Sequence, residues 1–196
     1  MKTHPRIVTV PSPAFTIVEL LVVISIIGVL AGLLLPVLAR AKMQGKITLA
    51  RAEVKNLASA ISQYQSTYTV MPGPNSAATA DATFTNDNWS VMVILCDVDT
   101  APNPPNSNHK KNPQKIRFFD PKQASNPNGP GLGPDNVMRD PWGNPYVITL
   151  DLNYDNLCQD AFYCPAPMPA LPCSAAVWSF GPDGLPLTKD DILSWK

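Results

Sequence analysis

The residues of this chain with chemistry to offer are four cysteines, two histidines and a run of C-terminal acids. Asp183, Asp190 and Asp191 fall within nine residues, beside Ser179, with Gly181 and Gly184 on either side of Asp183. From Asp140 to the end there are seven acids against two lysines. Hard cations take about six to eight carboxylate and carbonyl oxygens from a loop able to wrap them, so the cluster is consistent with a cation. Two ordinary turns, Pro-Asp-Gly and a helix N-cap at Asp190, would use the same residues.

The cysteines, Cys96, Cys158, Cys164 and Cys173, contain no C-x-x-C and have only His109 near them in sequence, which argues against zinc. In an oxidising compartment four cysteines suggest two disulfides, with three pairings open. Cys158 and Cys173 bracket QDAFYCPAPMPALP, a stretch with little capacity for regular structure that would benefit from a staple. Catalysis is not expected. Ser179 sits in S-F-G-P-D-G rather than G-x-S-x-G, there is no glycine-rich phosphate loop, and His4 and His109 are the only imidazoles.

The elements that would position these groups follow from composition. At 196 residues the chain suits one compact domain with something to spare. Fifteen Lys/Arg balance fifteen Asp/Glu, and only 15 % of residues are charged, so a nucleic-acid partner bound by bulk charge is not expected. Eighteen of the 22 prolines lie from Pro72 onward and none between Pro36 and Pro72. The second half is therefore turn-rich and no helical bundle.

Residues 20–39 form an uncharged run, LLVVISIIGVLAGLLLPVLA, long enough to span a ~30 Å hydrocarbon core. Lys2 and Arg6 precede it; Arg40 and Lys42 follow. Three readings compete: a cleaved secretory signal with Ala39-Arg40-Ala41 as its site, which would release a secreted binding domain; a plain anchor; or a segment that is processed but kept. Glu19 separates them, because a carboxylate at the edge of an apolar helix is costly without a partner and a plain anchor has no use for one.

Ala14-Phe15-Thr16-Ile17-Val18-Glu19-Leu20-Leu21 resembles the processing site of type IV pilins and type II secretion pseudopilins. The resemblance covers residues 14 to about 40. It implies that a prepilin peptidase removes residues 1–14, cutting between Ala14 and Phe15, and methylates the new amine of Phe15. Ala14 stands where the family usually has Gly. Glu19 becomes the fifth mature residue, and Pro36 takes the place of the family's helix-bending proline. In a filament without lipid, Glu19 would lie against the ammonium of a neighbouring subunit's Phe15, which compensates a buried charge and sets the axial register. Gly28 and Gly32 make a G-x-x-x-G step that permits close helix approach, and Pro36 is expected to kink or locally melt the helix.

Ile47, Ala50, Val54, Leu57, Ile61, Tyr64 and Tyr68 step by three and four, so one helix face stays apolar to about residue 68. From Phe15 that makes 54 residues, about 80 Å if straight. Lys46, Arg51, Lys55 and Gln63 mark the other face. Met71-Pro72-Gly73-Pro74 ends the helix. A short helix is expected over 89–95, strands over 146–152 and 175–180, a third at Arg117-Phe118-Phe119, and loops over 101–115 and 125–135. The fold class is α+β: a long N-terminal helix on a small antiparallel sheet.

Asp140-Pro141-Trp142-Gly143-Asn144-Pro145-Tyr146 resembles the D-P-W-G-x-P-Y turn of the major pseudopilin of type II secretion, and residues 179–184 with Asp190-Asp191-Ile192 resemble its C-terminal loop. That resemblance implies a structural calcium ion held by Ser179, Asp183, Asp190 and Asp191. The expected organisation is a leader over 1–14, a transmembrane and filament-core helix over 15–39, an amphipathic continuation over 40–70, and a periplasmic domain over 71–196. By implication the partners are copies of this chain and other pseudopilins, a prepilin peptidase, and an inner-membrane assembly platform with its ATPase. A type IV pilus or competence filament subunit shares the same N-terminus and is the alternative. Five cations after the span against two before it favour the opposite topology on charge alone; the cysteines and the resemblance place the C-terminal part outside.

Overall fold

A computed structural model describes residues 15–75, 78–99 and 105–196. Ala14 and the rest of the expected leader lie outside them. By internal contacts the chain divides into two units, one ending at Met43 and one covering Gln44–Lys196. Helix α1, Ile17–Tyr68, runs unbroken through Pro36, so the expected local melting is not seen.

In the first unit every residue over 15–43 is exposed, Phe15 at 75 % and Ile17 at 84 % among them. The stretch is long and apolar enough to cross a membrane, and among the described residues nothing buries it.

The second unit, Gln44–Lys196, has its own core. Ala50, Val54, Leu57, Ala60, Ile61 and Tyr64 of α1 are buried, with Ile47 and Tyr68 packed at the margin, so the 3,4 stripe is the buried face. Lys46, Arg51, Lys55 and Gln63 are exposed, but not all turned away from the domain: Lys46 stands over the Trp142 ring, and Arg51 and Lys55 line a cavity with Tyr163 and Asp191. Strand β1 (Ala82–Phe84), helix α2 (Trp89–Leu95) and a 3₁₀ turn (Ser107–His109) follow, then β2 (Gly131–Leu132), β3 (Met138–Arg139), β4 (Val147–Leu150), β5 (Ala175–Ser179) and β6 (Ile192–Leu193). The main sheet is antiparallel in the order β1-β4-β5-β6, and β2-β3 is a separate ribbon.

Both sheet faces are covered. Ile148, Leu150, Val177 and Ile192 join α1 and α2 in the main core. Val147, Trp178 and Leu193 form a smaller cluster with Phe162, Tyr163, Phe180 and Trp195. This is why all four residues of β4, Val-Ile-Thr-Leu, are buried instead of one face being left to solvent.

The short helix and the two longer strands fall where expected, β4 three residues shorter than expected and β5 one. Arg117-Phe118-Phe119 is not a strand. The Phe118 and Phe119 amides both donate to the Leu95 carbonyl at the end of α2 (2.9 and 3.2 Å), and the Phe118 ring packs edge-on against Tyr64 and Tyr68. Its aromatics cap the helix core instead of entering the sheet. Strand β2 lies inside the expected loop over 125–135, and β1, β3 and β6, of two or three residues each, are too short for any periodicity to register.

Candidate functional site

Two places carry the features singled out from the sequence: the start of α1, and the junction of the 140–146 turn with the C-terminal loop.

At the start of α1, Thr16 and Glu19 form a reciprocal cap. The Glu19 N–H donates to Thr16 Oγ1 (3.2 Å), while Thr16 N–H and Oγ1–H both donate to Glu19 Oε2 (2.8 Å each). This is a T-x-x-E capping box, which satisfies two of the donors a helix start leaves open. The pattern was present in the sequence as Thr16-Ile17-Val18-Glu19, and it gives Glu19 a partner within its own chain. Further along, Ser25 Oγ donates to the Leu21 carbonyl (2.8 Å), and the Gly28 and Gly32 positions are open, with nothing within 4 Å of where a Cβ would stand.

At the second place the two motifs meet. Asp140 is fully buried: its Oδ1 accepts from the Trp142 and Asn144 amides (2.9 Å each), and its Oδ2 from Ser179 Oγ (2.7 Å). Ser179 Oγ in turn accepts from Gly181 N–H (3.0 Å), and Asn144 Nδ2 donates to the Gly181 carbonyl (3.2 Å). Burial pushes the Asp140 carboxyl up from its ordinary value, and the bonds from Ser179, Asn144 and Trp142 pull back against it. Gly181 has φ +68°, and a Cβ there would run into the Asp190 carbonyl. The same turn is fastened to α1, since the buried Tyr146 hydroxyl donates to Glu53 Oε2 (2.6 Å). Burial raises the Glu53 carboxyl, the Tyr146 bond lowers it, and the Asp140 charge raises it again. Asn88, at the start of α2, closes the assembly: its Nδ2 donates to the Met138 and Tyr146 carbonyls (3.0 and 2.8 Å) and its Oδ1 accepts from Met138 N–H (3.0 Å). Neither Glu53 nor Asn88 stood out in the sequence, because a single polar residue beside an apolar stripe or just ahead of a short helix carries no motif.

The four expected calcium ligands are not drawn to one point. Ser179 is engaged with Asp140. Asp183 and Asp190 face each other, the Asp183 N–H donating to Asp190 Oδ2 (3.3 Å), and Thr188 Oγ1–H donates to Asp190 Oδ1 (2.7 Å), which holds that carboxyl below its ordinary range. Asp191 Oδ2 takes the Tyr163 hydroxyl and the Thr188 amide (3.0 Å). Its Oδ1 is buried with no hydrogen-bond partner, the one atom of the set that asks for a cation. Among the described residues no three His, Cys, Asp or Glu side chains are gathered as a metal would require.

The cysteines separate into two places. Cys96 ends α2 in the main core, its thiol pushed up to about 12 by burial. Cys158, Cys164 and Cys173 belong to the loop that leaves β4 and returns to β5, and no S–S bond joins any of the four in this structure. His109 is held by Asp97 (Nδ1 to Oδ1, 2.7 Å) and Asp99 (Nε2 to Oδ2, 3.5 Å), contacts that brace its loop.

No family model matches this chain, and no solved structure matches it. Over 51 residues it is 37 % identical to the type II secretion system core protein G of Pseudomonas aeruginosa, a match covering 26 % of this chain and 36 % of that protein. The likeness is to a core protein of a secretion system. The chain thus spans about a third of the length of the curated relative it matches, and it joins that likeness to a long apolar N-terminal helix and an α+β domain of pilin-like layout.

Proposed function

We infer that this chain is a filament-forming membrane subunit of a type II secretion system, a structural part rather than an enzyme. The observation that carries the reading is the bare apolar half of α1, every residue exposed over 15–43, in a chain similar to a secretion-system core protein. A helix apolar all round must be covered, first by lipid and then by other helices.

In this reading a prepilin peptidase cuts between Ala14 and Phe15 and methylates Phe15. The domain faces the periplasm, an inner-membrane platform and its ATPase lift the subunit out of the bilayer, and copies of this chain with other pseudopilins stack through α1. Glu19 then exchanges part of its bonding to Thr16 for the Phe15 ammonium of a neighbour. Calcium is a separable part of the proposal: it would be held by Asp183, Asp190 and Asp191, with Ser179 left on Asp140, and would supply rigidity to the loop.

Sedimentation of sheared envelope material tests assembly. The wild-type chain is expected in the filament pellet, and Glu19→Ala is expected to remain inserted and processed but absent from it. Normal filaments from Glu19→Ala would overturn the pairing, and a wild-type chain that never sediments under secreting conditions would overturn the filament.

A further inference from the structure

We propose that Cys158 and Cys173 form a disulfide that seals the base of the loop between β4 and β5, leaving Cys96 and Cys164 as thiols. The inference rests on the reading above in one respect, that the domain matures in an oxidising compartment.

The geometry selects this pair among those that sequence left open, and one bond in place of the two that four cysteines suggest. Cys158 and Leu171 form an isolated antiparallel bridge, with the Cys158 amide on the Leu171 carbonyl (2.7 Å) and the Leu171 amide on the Cys158 carbonyl (2.9 Å). Two residues on, the Cys173 amide also donates to the Leu171 carbonyl (2.8 Å), which turns the chain back over Cys158. Next to it, Ser174 accepts from the Asp151 amide (3.1 Å), while Cys158 Sγ lies over the Thr149 carbonyl (3.7 Å). Both cysteines therefore sit against the same end of β4, close enough that each thiol bears on the other's ionisation.

Cys164 is occupied differently. Its sulfur donates to the Cys158 carbonyl (3.3 Å) and accepts from the Asp160 amide (3.1 Å), so it is tucked under the main chain of its own turn. Cys96 is in the main core at the end of α2.

Accessibility orders the chemistry. Cys173 is partly exposed and Cys158 is fully buried. The Cys173 thiolate attacks one sulfur of an external disulfide, the thiol-oxidising class of enzyme that works outside the cytoplasm, and forms a mixed disulfide as the first donor sulfur leaves as a thiol. Cys158 gives up its proton, attacks the Cys173 sulfur and displaces the second donor sulfur. Two electrons and two protons pass to the donor, which ends as a dithiol. The neighbouring Cys158 thiol holds the Cys173 thiol below its ordinary value, which suits it to the first attack.

The closed loop holds more than itself. It carries Asp160, whose Oδ2 accepts Thr149 Oγ1–H (2.7 Å) and Trp178 Nε1–H (3.1 Å), and the Phe162 and Tyr163 rings, which pack edge-on against Trp178. The bond thus clamps the cover of one sheet face.

The test uses the full chain from host membranes, denatured, alkylated and weighed intact. Two alkyl groups on four cysteines are expected, with fragmentation joining Cys158 to Cys173. Cys164→Ala should keep the bond. Cys173→Ala should lose it and speed proteolysis at Phe162 and Tyr163 several-fold, while the melting temperature falls by on the order of 10 °C. Four alkyl groups, or a bond that includes Cys164, would overturn the pairing; unchanged proteolysis of Cys173→Ala would overturn the clamp. The same mass reports the N-terminus, so a bonded chain that retains residues 1–14 would count against the filament reading and leave the disulfide standing.

Discussion

Tyr146→Phe is the substitution that most directly probes how the 140–146 turn is fastened to α1. It removes one hydroxyl and with it the 2.6 Å bond to Glu53 Oε2, and it leaves the aromatic ring in place at a site with no exposed surface. A hydrogen bond to a charged group is worth about 1.5–3 kcal/mol. Glu53 is only partly buried, so solvent recovers some of the loss and the lower half of that range applies, about 2 kcal/mol. For a domain of this size that is a fall of roughly 4–8 °C in melting temperature. Thermal unfolding followed by near-UV circular dichroism, on the full chain in detergent, reads it.

The pH dependence adds an independent check. Burial raises the Glu53 carboxyl in the folded protein, so this group favours folding most below its unfolded value of about 4.3 and loses that contribution as pH rises through the folded value. Removing the Tyr146 donor raises the folded value further. The cost of Tyr146→Phe should therefore be small near pH 4 and reach its full size near neutrality. Glu53→Gln, which keeps an acceptor for the hydroxyl, should abolish that pH dependence. A melting temperature within about 1 °C of wild type at pH 7, or a cost equal at pH 4 and 7, would refute the proposed role of the pair.

Three further outcomes are expected. Gly181→Ala forces a side chain into φ +68° and against the Asp190 carbonyl, so it should cost at least about 1–2 kcal/mol in denaturant unfolding; wild-type stability would mean the loop re-forms without Gly181. Thr16→Ala, which removes one half of the reciprocal cap with Glu19, should lower the helicity of a peptide spanning the start of α1, with a loss of about 1 kcal/mol, and Thr16→Ser should restore it. Added calcium should raise the melting temperature of the full chain and chelation lower it, with Asp183→Ala insensitive; no shift in the wild type would leave Asp183, Asp190 and Asp191 as turn residues.

Much of this architecture was legible in the residues because long periodic segments average out local exceptions. The stripe from Ile47 to Tyr68 and the apolar run over 20–39 both became the expected parts of α1. Residues 89–95 and 175–179 were legible for the same reason, each a cluster of apolar or β-branched residues between turn residues. What was not legible depends on tertiary partners. Phe118 and Phe119 look like strand residues, yet the free carbonyl at the end of α2 and the Tyr64 and Tyr68 rings claim them. Ser179 and Asp140 were read as parts of separate motifs, and only the sheet brings them to 2.7 Å. Glu53, a polar residue at the edge of an apolar stripe, gives no hint that a tyrosine 93 positions away will meet it.

The N-terminus of the mature chain tests the central claim most directly. Protein recovered from host membranes should weigh as a chain beginning at N-methylated Phe15, and sequencing should give Phe-Thr-Ile-Val-Glu. A chain beginning at Lys42 would contradict the account outright, because the helix that builds the filament would have been removed as a signal peptide.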